Sequence, residues 1–120
     1  MSETKPIRTL LCFNNHAAFF SLPFDQIGPV WKATQELMAK IDQMEGVEIV
    51  GTFDDDQTFV GASVGFPYTW YIMADFPTRA DVQAACNLLR EIVVGEGNDR
   101  LWKYMTVEAR MGRALEIPQL

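Results

Sequence analysis

LWKYMTVEARMGR, residues 101–113, is the longest run of the chain with strict two-residue alternation. Met105, Val107, Ala109 and Met111 are apolar, while Trp102, Tyr104, Thr106, Glu108 and Arg110 between them are aromatic, polar or charged. Successive side chains on a strand point to opposite faces, so this spacing predicts a strand with two different sides. The apolar side suits packing against helices. The other side carries groups able to stack on a flat ligand, accept a proton and hold an anion, and is expected to wall a small-molecule site.

Three further strands and two helices are expected upstream. Residues 7–13 are mostly apolar and end at the turn-prone Asn14 and Asn15, which predicts strand one. Residues 16–24 have no clean period and contain Pro23 with Phe19, Phe20 and Phe24. They are expected to form a loop or lid folded against the body, since three Phe are poorly placed in water. Asp25 suits a helix N-cap, and Pro29 is tolerated in a first turn. Ile27, Val30, Thr34, Leu37, Ile41 and Met44 then form one stripe and Gly46 a stop, predicting a helix over about 26–45.

Residues 47–54 alternate again, with Val47, Ile49, Gly51 and Phe53 on one side and Glu48, Val50, Thr52 and Asp54 on the other. This predicts strand two, and Gly61, Gly65 and Pro67 mark a long irregular connection over 57–68. Residues 69–74 predict strand three. Thr78 and Asp81 resemble a capping box, followed by a helix burying Val82, Ala85 or Cys86, Leu89 and Ile92 before Gly95.

The resulting order, β-α-β-β-α-β, is the split arrangement of ferredoxin-like α+β folds. Two helices cover one face of a four-stranded sheet, so the other face requires a partner. Two sheets paired across a two-fold axis would meet that need, and a homodimeric α/β barrel is expected.

Size and composition narrow the function. The 120 residues fit one domain, with 48% hydrophobic and 22% charged residues, an ordinary globular balance. A formal net charge of −6 and the lack of any Lys/Arg block argue against nucleic-acid binding. No run approaches the ~20 apolar residues of a membrane span, and the first residues lack a leader's layout, so a cytoplasmic protein is expected. Cys12 and Cys86 have no ligand-spaced neighbours and are expected to be reduced core thiols.

Several residues are candidates for chemistry. Arg110 could hold a carboxylate while Glu108 acts as general base; equally, the two could be a structural ion pair. Tyr104, Trp70 and Tyr71 are candidates for stacking, although Trp70 and Tyr71, as strand neighbours, cannot line one pocket. His16 is the sole histidine and could face a pocket mouth or simply lie at the surface. Asp54, on the same strand face as Thr52, is expected to reach the pocket, whereas Asp54, Asp55 and Asp56 together suit a solvated turn better than a metal site. No phosphate loop, nucleophile elbow or zinc motif is present, and no cofactor or metal is expected.

DDDQ at 54–57, VG at 60–61, GFPYT at 65–69, AACNL at 84–88 and above all LWKYMTVEARMGRA at 101–114 resemble the IacB-type small proteins of bacterial indole-3-acetate degradation clusters. The resemblance covers about residues 26–114. It implies a ferredoxin-like domain in a dimeric α/β barrel, shaped like small cofactor-free monooxygenases and isomerases, with an oxidised indole-acetic acid or a relative as ligand. A cofactor-independent enzyme acting on such an aromatic acid is the first expectation, with Arg110 on the carboxylate and Glu108 or Asp54 moving protons. A non-catalytic carrier of the same intermediate is the second, and a structural partner of a larger oxygenase the third.

Overall fold

The computed structural model describes residues 5–56 and 68–118. Its strands are β1 (Ile7–Asn15), β2 (Glu48–Asp54), β3 (Trp70–Phe76) and β4 (Met105–Gly112), and its helices α1 (Ala17–Phe20), α2 (Ile27–Asp42) and α3 (Arg79–Glu91). The strands form one antiparallel sheet in the order β2-β3-β1-β4. With α2 and α3 on one side, this is the ferredoxin-like α+β fold.

The core lies between the sheet and those helices. Leu11 and Phe13 of β1, Ile72, Ala74 and Phe76 of β3, and Met105 of β4 meet Val30, Leu37 and Ile41 of α2 and Val82, Ala85 and Leu89 of α3. Leu37 and Ile41 are fully buried, and each such aliphatic chain stabilises the fold by about 2 kcal/mol. The Thr78 hydroxyl caps α3 by accepting from the Asp81 N–H at 3.1 Å. Gly46 turns the chain from α2 into β2 at φ +77°, a conformation that disfavours any side chain.

Four expectations are corrected. β1 continues past Phe13, because Asn14 and Asn15 pair with Thr106 and Met105. The 16–24 segment contains the helical turn α1. Phe19 and Leu22 pack on the core, but Phe20 and Phe24 remain exposed, Phe24 at 92%. Asp25 does not cap α2: it sits in a 3-10 turn, Phe24–Gln26, and Gln26 occupies the cap position without a side-chain bond. Finally, the expected strand over 101–113 begins only at Met105, because Leu101–Lys103 winds into a 3-10 turn. The expected connection at 57–68 lies, apart from Tyr68, outside the described residues.

The register of β2 carries a further correction that matters for function. Ile49 pairs with Ala74, yet Gly51 pairs with Met73, so Val50 is an extra residue in a bulge. Beyond it the faces are exchanged. Thr52 and Asp54 oppose Ile72 and Trp70 on the helical side, whereas Phe53 opposes Tyr71 on the uncovered side.

Candidate functional site

The residues singled out from sequence fall into two groups, one on each side of the sheet. Thr52, Asp54 and Trp70 lie on the helical side, at the end where β2 and β3 meet α1 and α2. There they line a cleft of about 730 Å³ together with Phe19, Phe20, Trp31, Thr34, Met38 and Asn15. Glu108, Arg110 and Tyr71 lie on the opposite, helix-free face.

The cleft is built on a rigid aromatic wall. Trp70 stacks on Phe13 with ring centroids 4.0 Å apart and planes 10° from parallel. Its indole N–H donates to Asn15 Oδ1 at 3.2 Å, which fixes the ring's orientation. The Asn15 N–H in turn donates to Thr69 Oγ1 at 3.3 Å, and the Thr69 hydroxyl donates to the Phe13 carbonyl at 3.2 Å. Across the cleft, Trp31 on α2 is 57% exposed, a large apolar ring held at the mouth. Thr34 is buried and its hydroxyl is engaged by the Val30 carbonyl at 2.9 Å.

One end of the cleft is acidic. Asp54, Asp55 and Asp56 all line it, and among the described residues no Lys or Arg does. Asp54 Oδ1 accepts the Asp56 N–H at 3.1 Å, tying the turn together and leaving its second oxygen without a partner among the described residues. Asp55 Oδ2 accepts from the Tyr71 hydroxyl at 3.1 Å, linking the cleft rim to the other face of the sheet. Among the described residues no group of His, Cys, Asp or Glu converges to hold a metal ion.

On the uncovered face, β4 presents Glu108 opposite Cys12 and Arg110 opposite Leu10. Glu108 Oε2 and Arg110 Nη2 are 3.8 Å apart, and the Tyr68 hydroxyl donates to the Glu108 carboxylate. That hydrogen bond raises the Tyr68 pKa above its ordinary value. Cys12 is fully buried between Tyr71 and Glu108, and burial pushes its thiol up although the Arg110 charge opposes this. Tyr71 stacks on Phe53 at 4.6 Å, and burial, followed by the bond to Asp55, pushes its pKa up to about 12. Nearer the sheet's end, Arg8 forms a two-pronged ion pair with Asp75, at 2.5 and 3.1 Å.

The two remaining candidates lie elsewhere. Tyr104 follows the 3-10 turn and is buried in the core, its hydroxyl 3.4 Å from Asp99, so it shares no face with Glu108. His16 precedes α1 and donates its backbone N–H to the Tyr104 carbonyl at 2.7 Å, while its ring makes no capping bond and does not line the cleft. Trp31 and Met38 were not anticipated. Together with Ile27 and Thr34 of the core stripe they widen the apolar face of α2 on one flank, and that width is the available signal.

Fold and cleft together define a small ferredoxin-like α+β domain with an aromatic, acid-ended pocket between its sheet edge and its first long helix. No family profile matches the chain, and no curated protein does. Among solved structures it is similar to a hypothetical protein of Arabidopsis thaliana determined in solution, with 13% identity over 99% of this chain and 97% of that one and a TM-score of 0.48. It is also similar to a dimeric ferredoxin-like protein of unknown function from Thermobifida fusca, with 15% identity over 95% of each chain and a TM-score of 0.39. Among the described residues no helix is long and apolar enough to cross a membrane.

Proposed function

We propose that this protein binds a small planar aromatic acid ring-first in the cleft and converts it without a cofactor, the ligand being an oxidised indole-acetic acid or a close relative. The observation that carries this reading is the pairing of Trp31 and Trp70 with Asp54 in one cleft. Its volume falls within the ~300–1,000 Å³ of small-molecule sites, and flat rings gain by stacking on flat rings. Asp54 offers a carboxylate oxygen to a ring N–H or O–H and serves as the proton acceptor. The ligand's own carboxylate stays in water at the mouth, because the acidic end would repel it. Arg110, on the other side of the sheet, takes no part in this binding mode.

The likeness to IacB-type proteins supports the choice of ligand through the sequence blocks that carry it. The uncovered face, with Leu10, Cys12, Met73 and the Phe53 and Tyr71 rings, supports a homodimer closed into an α/β barrel. A second reading, a carrier for the same ligand, is favoured by one observation: Asp54 is exposed and one oxygen already holds a turn, which is a weak setting for a general base.

Proton NMR of the purified protein with indole-3-acetate and with its freshly oxygenated product tests the proposal. New ligand peaks that require the protein and grow more slowly with Trp31→Ala at sub-saturating ligand establish the enzyme. Line broadening without new peaks leaves the carrier. Neither effect overturns both readings and directs attention to a protein partner such as an oxygenase.

A further inference from the structure

Two parts of this chain have no strand partner among the described residues, and they are complementary. Beyond Gly112, residues 113–118 run on without helix, strand or turn. No strand pairing, side-chain hydrogen bond or ion pair holds this arm among the described residues. Leu115 is 83% and Ile117 92% exposed, and between them stands Glu116, which gives the arm the alternating pattern of a strand with one apolar side. The second part is the outer edge of β2. Among the described residues it pairs with β3 alone, which leaves the backbone groups of its other side without a strand partner there, and Val50 and Phe53 are 51% and 58% exposed. Such an edge is a template for a further strand.

The arm cannot serve its own edge. Glu48, Asp75, Arg8 and Gly112 lie in one row across the sheet. β4 therefore leaves the sheet at the row where β2 begins, heading away from it, with β3 and β1 between. At ~3.3 Å per residue the arm spans about 20 Å, close to the length of β2, and returning to β2 would consume that reach in reversing direction and crossing roughly 14 Å of sheet.

We infer that residues 113–118 of one copy add as a strand to the outer edge of β2 in a second copy. Main-chain hydrogen bonds supply the pairing, and Leu115 and Ile117 cover apolar surface that both copies otherwise leave in water. Thr52, Phe53 and Asp54 belong to that edge and also line the cleft, so the arm of one copy forms part of the rim of the other's site. The inference rests on the homodimer proposed above and names where its chains exchange.

The test compares the full chain with the double variant Leu115→Asp, Ile117→Asp and with a chain ending at Gly112, by sedimentation equilibrium and by hydrogen exchange at Gly51, Thr52 and Phe53. Both side chains are solvent-exposed in the single copy, so the variants leave its fold intact. The expected result is a dimer weakened about tenfold or more, with faster exchange along β2. Unchanged dimer affinity, or a weakened dimer whose β2 exchange does not alter, overturns the arm and leaves the homodimer standing. A full chain that stays monomeric at every concentration overturns both.

Discussion

Asp54 and Trp70 oppose each other across the β2–β3 ladder, and the extra residue Val50 is what places the pair on the helical side of the sheet. Without the bulge, strict alternation would have set Asp54 on the face of Glu108. The cleft therefore owes its acid to one irregularity in an edge strand, a common device for re-aiming a side chain.

The two tryptophans of the cleft should separate binding from stability. Trp31 is largely exposed, so Trp31→Ala should leave the thermal midpoint nearly unchanged while weakening ligand binding about tenfold through lost stacking. Trp70 packs on Phe13, so Trp70→Ala should cost about 2–4 kcal/mol in stability as well. Urea denaturation alongside ligand titration checks both; equal stability losses would contradict the assigned roles.

Asp54→Asn distinguishes an enzyme from a carrier. If Asp54 accepts the proton, kcat should fall about a hundredfold or more with KM little altered. For a carrier, affinity should change only a few-fold and neither protein should yield product.

Tyr71 ties stability to alkaline pH. Its folded pKa of about 12 lies above the ordinary 10, through burial first and the hydrogen bond to Asp55 second. The folded state thus binds the phenolic proton more tightly than the unfolded state. The resulting stability is fully present below pH 10 and is lost as pH rises from 10 through about 12. Denaturation midpoints for the native chain should fall over that window, and Tyr71→Phe should flatten the fall.

Gly46 should tolerate no side chain. Its φ of +77° is costly for an L-residue, and a Cβ there would stand 2.7 Å from Pro77 Cγ. Gly46→Ala should destabilise the fold by about 1–3 kcal/mol, measurable as a lower urea midpoint with an unchanged m-value.

Local pattern was enough for much of the architecture. The apolar residues of β4, the stripe of α2 and the Thr78 cap of α3 each follow from neighbours in sequence, because side-chain periodicity and capping are short-range effects. Those signals also put Glu108 and Arg110 on one face and made Trp70 and Tyr71 mutually exclusive in any pocket. Tertiary structure alone decided the rest. Alternation cannot reveal that Val50 is skipped in pairing with β3, nor that residues 101–103 wind into a 3-10 turn and send Tyr104 into the core. Both outcomes depend on hydrogen bonds and packing with segments distant in the chain. The candidates thus divide between a cleft on one side of the sheet and an ion-paired face on the other, a partition set by strand register rather than by residue type.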